Sequence, residues 1–392
     1  MVQIDIRNVF SSRRVELIEV GEDTVYYAEE KSEEGHNNLF FLEYNRHTSC
    51  ERVVTTYSLD NLTYMQHIFP FDDSIVLLLE NGSNMVWLYQ INKQTGEETA
   101  KMAVRCIGNF GGCKALSQDC VLLYTVESPE FHALFQEYQK VTGNRRIAYL
   151  LDLKQQATYF VKSPLVGRLS WEDYRMYSYE GEKRVLLLDP YGDEAFKYRC
   201  YQEARWISKE VCDYIWTMPL AEFIDHLKRG SQELPAKLVL SAGTEGMVRF
   251  VAMDGNKLYL KVKHFPSGGE RICSYCLSDG KIQVIASLHE PGKAGKYYRL
   301  DERNAKMYEL TPGGDSVQVK GIVNSSLSAS YRPELGDFIG SLDDRYLLCR
   351  KTLQEESSVT AYEYYTLLDS KDQSEESFEC SCAIFGNTLL LY

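Results

Sequence analysis

The run VELIEVGEDTVYYAEEKSEEGHNNLFFLEYNRHTSCERVVTTY, residues 15 to 57, decides the fold. It holds four strand-like segments, Val15 to Val20, Thr24 to Glu29, Asn38 to Tyr44 and Arg52 to Tyr57, rich in β-branched and aromatic residues. Loops carrying Gly21-Glu22, Gly35-His36-Asn37 and Thr48-Ser49-Cys50 separate them, and these are residues that favour chain reversal. The segment therefore reads as an up-and-down meander of four strands.

Its second strand begins just after Asp23, and that signal recurs. Asp23, Asp73, Asp119, Asn256, Asp344 and Asn387 each stand two residues before an apolar residue that opens a short apolar run. Neighbouring anchors lie about 43 to 50 residues apart, and the gap from Asn256 to Asp344 is close to twice that. This is the period of four-stranded sheets arranged radially about an axis. Asp173 and Asn304 are weaker anchors for two less regular units. Eight anchors predict seven to eight blades, all within a single domain spanning residues 1–392.

Two segments interrupt the strand pattern. Between Ser128-Pro129 and Gly143, the residues Phe131, Leu134, Phe135, Tyr138 and Val141 recur at helical spacing, with Ser128 as N-cap and Gly143 as stop. In residues 202–234, Trp206, Ile207, Val211, Tyr214 and Ile215 form one apolar stripe and Leu220, Phe223, Ile224 and Leu227 a second. They predict two short helices, read as an insertion within the ring. At the ends, Cys382 to Phe385 and Thr388 to Tyr392 supply only two strands of a final unit. The spare strand Val2 to Arg7 is expected to join them, because a ring must close its open edges.

Composition bounds the function. A net charge of −13, with no basic run longer than Arg13-Arg14 or Arg145-Arg146, argues against nucleic acid and anionic membranes as partners. The longest apolar run, near Val185 to Leu188, is too short to span a bilayer, so a soluble chain is expected. Eleven cysteines without an export signal predict free thiols and a cytoplasmic location.

No motif announces catalysis. The anchors are turn residues first, since Asp and Asn bond their own backbone in such turns. Cys273 and Cys276 stand three apart in a strand, which points them to opposite faces and argues against a zinc site. The seven histidines are scattered singly, without the paired spacing of a zinc protease, and no Gly-x-Ser-x-Gly turn occurs. No metal or cofactor is expected.

The anchored meanders resemble a β-propeller, and the chain is similar to the divergent, uncharacterised propeller-like proteins found in bacteria. It lacks the Trp-Asp ending, the kelch di-glycine, the Tyr-Trp-Thr-Asp motif and the sialidase Asp-box, so the resemblance carries over no catalytic residue. The expected function is a protein-interaction or ligand-binding scaffold of unknown partner. The alternative is a hydrolase or lyase acting on a carbohydrate or lactone-like molecule at the central channel. The residues singled out for binding are Trp206, Tyr214, Trp216 and Phe223, on the expectation that the helical insertion covers one mouth of the channel.

Overall fold

The structure, a computed structural model, describes residues 2–5, 15–21, 23–33, 36–59, 63–81, 84–144, 146–170, 173–189, 213–241, 246–264, 269–287, 296–301, 303–354 and 361–391. Seven four-stranded antiparallel sheets follow one another along the chain, each with its strands in sequence order. We number them blades 1 to 7. They span 15–59, 63–105, 109–160, 174–241, 246–287, 297–331 and 337–378. Blade 8 combines Cys382–Phe385, Thr388–Leu391 and Val2–Asp5.

The apolar pattern explains why these sheets form a ring. Successive strand residues point to opposite faces, so each blade offers one apolar face to the blade before it and one to the blade after. In blade 2, Ile75, Leu77 and Leu79 pack against blade 1, while Val76 and Leu78 pack against blade 3. The same division recurs between blades 3 and 4, 4 and 5, 5 and 6, 6 and 7, and 7 and 8. Between blades 8 and 1, Ile4 and Leu390 meet Val25, Tyr27, Leu42 and Tyr44, which completes an eight-bladed β-propeller.

The closing strand runs parallel to its neighbour, with Val2 opposite Thr388 and Asp5 opposite Leu391. Strand direction accounts for this. In blades 1 to 7 the fourth strand runs like the second and hands the chain to the innermost strand of the next blade. Val2–Asp5 occupies the third place but performs that same handover toward Val15, so it too must run like the second strand. The sequence expectation that both ends share one blade is met; Ile6 and Arg7 lie outside the described residues.

The channel end near this closure carries a brace. Asn304, in the first turn of blade 6, donates from Nδ2 to the Ile384 carbonyl at 3.2 Å, and its Oδ1 accepts from the Gly386 amide at 2.7 Å. Blade 6 thus reaches blade 8 past blade 7. A Cβ at Gly340 of blade 7 would lie 2.8 Å from Asp301 Oδ2, so a larger residue there would have to displace that carboxylate. Asn304→Ala is expected to lower stability by about 1–3 kcal/mol, through the loss of both cross-blade hydrogen bonds at about 0.5–1.5 kcal/mol each. An unchanged urea midpoint would refute the brace.

Helix α1 (His132–Thr142) lies between the second and third strands of blade 3 and ends at Gly143, whose φ of 75° and amide bond to the Gln139 carbonyl make the expected stop. Ser128 precedes the opening turn without capping it through its side chain. Helix α2 (Pro164–Arg168) connects blades 3 and 4. Helix α3 (Leu220–Lys228) joins the third and fourth strands of blade 4.

Two sequence expectations are corrected. Tyr214 and Ile215 do not lie on a helix: Tyr214–Pro219 is the third strand of blade 4, paired with both neighbours. That six-residue strand packs on both faces, so its apolar residues follow neither period cleanly, and they extended the helical stripe by coincidence. Asp173 is not the counterpart of the other anchors. It precedes the first strand of its blade, and the equivalent turn is Glu180-Gly181, both at positive φ, 51° and 79°.

Candidate functional site

In each meander, the turn from first to second strand and the turn from third to fourth strand lie at the same end of the sheet. The anchors therefore ring one mouth of the propeller. Their shared structural contribution comes from the backbone. The carbonyls of Asp23, Asp73, Asp119 and Asn256 accept the amides of Arg46, Lys93, Leu153 and Leu277 at 2.8–3.0 Å, tying the two turns of each blade together. On the other turn, Asn45, Asn92, Asp152 and Asp369 accept one or two amides from residues two or three further on. This second recurring Asx turn is legible in the sequence but was missed, because it opens no apolar run.

With the backbone carrying the turn, the anchor side chains are free to differ. Asp23 Oδ1 meets His47 Nε2 at 2.8 Å. Asp344 accepts the Ser326 amide and the hydroxyls of Ser325 and Ser326 at 2.7–2.8 Å. Burial alone would raise the Asp344 pKa, but these donors and the nearby Lys306 hold it below the usual carboxylate range. The carboxylates of Asp73 and Asp119 have no partner among the described residues.

Those two carboxylates border the same cavity. It has a volume of about 500 Å³ and lies between the inner hairpins of blades 2, 3 and 4. Asp72, Asp73 and Asp119 line it on one side and Lys183 on another, with Ser117, Gln118 and Ser178 between. Phe71, Leu116, Met176 and Leu220 give it apolar surface. Polar and apolar surface share the lining about equally, so a ligand that combines an apolar face with hydrogen-bonding groups fits it.

Helix α3 fixes one rim. Leu220, its first residue, lines the cavity, and its other end is held where Lys228 Nζ meets Asp152 Oδ2 at 2.5 Å. The hydrogen bond to this buried carboxylate raises the Lys228 pKa above the usual lysine range. An element inserted in blade 4 is thereby pinned to blade 3 beside the cavity.

The four residues singled out from sequence do not converge. Trp206 lies outside the described residues. Tyr214 pairs with Asp189 at the far end of blade 4 from the anchors, and its ring sits 5.7 Å from that of Trp216. Trp216 packs partly buried between blades 3 and 4, and its indole Nε1 is buried without a partner among the described residues. Phe223 is fully buried, its ring 6.3 Å from that of Tyr174. Among the described residues of the predicted insertion, α3 reaches the cavity through Leu220. Tyr177 and Lys183, which the cavity does use, flank the Glu180-Gly181 turn; recognising that turn as the fourth unit's hairpin would have found them.

Among known proteins, no family model matches the chain and no curated protein does. Solved structures resemble it at low identity. An uncharacterized protein from Listeria monocytogenes is 13% identical over 96% of each chain, with a TM-score of 0.43. An oligogalacturonate lyase in complex with manganese is 13% identical over 89% of this chain and 86% of that one, with a TM-score of 0.44. The β-propeller domain of the trilobed protease from Pyrococcus furiosus is 10% identical over 92% of this chain and 95% of that one, with a TM-score of 0.43. The architecture itself rests on the strand pairing and inter-blade packing described above.

Proposed function

We propose that the protein is a ligand-binding scaffold whose site is the anchor-face cavity, and that its ligand is a small molecule rich in hydroxyl or amino groups, such as a sugar. The observation that carries this reading is the pair of unpartnered carboxylates, Asp73 and Asp119, on backbone turns fixed by hydrogen bonds at the border of one cavity. Carboxylates held this way accept hydrogen bonds from a ligand without reorganising, which favours affinity. Phe71 and Tyr177 add aromatic surface against which a sugar ring packs. Buried thiols such as Cys113 and Cys349, their pKa pushed up by burial, suit a reducing compartment such as the cytoplasm.

The test is a panel of sugars and amines screened by thermal shift and followed by calorimetric titration. Asp73→Asn and Asp119→Asn should each weaken the selected ligand roughly ten- to a hundredfold, the loss of one charge-assisted hydrogen bond of about 1.5–3 kcal/mol. Unchanged affinity in both variants would refute the site. Recovering the ligand chemically altered would replace the scaffold reading with the enzymatic one.

A further inference from the structure

The rim of the propeller carries one strand edge built unlike the others. In each of blades 1 to 7 the fourth strand is outermost, and its outer edge offers backbone amides and carbonyls that the blade itself does not pair. Natural sheets guard such edges with charge or by keeping them short. Blades 1, 2, 4 and 7 place charged residues on the outermost strand, Arg52, Lys101, Lys237 and Glu375 among them. Those of blades 3 and 6, Ala157–Phe160 and Ser328–Tyr331, are four residues long. In blade 5 the outermost strand, Ile282–Ser287, runs for six residues with neither a charge nor a proline. Among the described residues it pairs on one side alone, with Glu270–Cys276.

Its side chains complete the contrast. A bulge at Ile285 interrupts the register, and Ile285 and Ala286 pack against blade 6. Ile282 and Val284 stand opposite Tyr275 and Cys273, which face blade 4, and so share that face. At 51% and 49% exposed, both remain half in water. Arg271, two residues before Cys273, is exposed on the same face at one end of this pair, and exposed Lys281 precedes Ile282 at the other.

Blade 5 is also a basic sector of an acidic chain. Residues 246–287 hold six Lys and Arg against three Asp and Glu, where the whole chain holds 43 against 56. Ion pairing within the blade does not remove the excess: Glu270 is shared by Lys261 and Lys263, and Asp279 meets Lys281. A net positive blade repels a second copy brought edge to edge and attracts a partner of the opposite sign. The edge therefore suits a foreign strand and disfavours pairing with itself.

We propose that Ile282–Ser287 is a docking edge for an extended acidic peptide, which adds to blade 5 as a fifth strand. Backbone hydrogen bonds hold such a strand whatever its sequence, and its alternate side chains are read by the face beside it. Here Ile282 and Val284 take apolar residues spaced two apart, and Arg271 and Lys281 favour acids beyond them on either side. The edge lies outside the cavity between blades 2, 3 and 4 and does not depend on what that cavity binds.

The test is fluorescence anisotropy of the full chain with a labelled peptide, Glu-Val-Thr-Val-Thr-Val-Glu, beside the same peptide carrying lysine at both ends. The first is expected to bind saturably and the second roughly tenfold more weakly. Val284→Glu should raise the Kd of the glutamate-flanked probe roughly tenfold or more, and Arg271→Glu should reverse the preference between the two probes. Hydrogen exchange at residues 282–287 should slow in the complex, which separates strand addition from contact through side chains alone. Absence of saturable binding would overturn the proposal, as would binding that Val284→Glu leaves unchanged or that leaves exchange at residues 282–287 unaltered. So would self-association of the parent protein abolished by Val284→Glu, which would make a second copy the occupant. If one variant fails to fold, the other decides.

Discussion

Deleting residues 1–5 is expected to destabilise the ring by about 5 kcal/mol or more, enough to unfold or aggregate a domain of ordinary stability. Ile4 is buried between blades 8 and 1, and losing a buried isoleucine alone costs about 2–5 kcal/mol. The deletion also strips the pairing from one edge of Thr388–Leu391, all four of whose residues are buried, and exposes an apolar strand edge. Leu390→Ala, which opens a cavity but keeps the strand, should cost less, about 2–5 kcal/mol. Equilibrium urea unfolding with size-exclusion chromatography reads both. A truncated protein that stays monomeric with an unchanged midpoint would show that the closure contributes nothing.

The second large effect is expected at Phe223. Its side chain is fully buried between α3 and blade 4, in the same cluster as Tyr174, Val185 and Leu187. Phe223→Ala should cost about 3–5 kcal/mol, the range for emptying a buried aromatic position. Its effect on ligand affinity, measured below the new unfolding temperature, should be small, because the ring faces the core while Leu220 faces the cavity. A stable variant with lost binding would reverse this assignment and return Phe223 to the role its sequence position suggested.

The contrast between Phe223 and Asp119 shows what could be read from residue order. Turn chemistry is local, so Asp23, Asp73 and Asn256 announced their hairpins, and their spacing announced the ring. The same locality hid blade 4. Glu180-Gly181 forms its hairpin without an Asp or Asn, and Tyr214–Pro219 is too short to separate strand from helix by period. The closing strand was legible because two strands at one end lacked partners and one strand at the other was spare.

The cavity was less legible for a different reason. It is assembled from the inner hairpins of three blades and the first residue of α3, which lie far apart in sequence, and each residue is an ordinary turn, strand or helix residue by itself. Reading Asp73 and Asp119 as turn formers was sound for the backbone. What the sequence could not show is that the backbone carbonyls do this work and leave the carboxylates unpartnered.

The central claim is that the two ends of the chain share one sheet, so that radial blades close on themselves. Nuclear Overhauser contacts between backbone amides of residues 2–5 and 388–391, in deuterated and selectively labelled protein, test it most directly. The account predicts contacts in parallel register, Gln3 beside Leu389 and Asp5 beside Leu391. Residues 2–5 showing none of these contacts in the folded protein, or pairing in antiparallel register, would contradict it.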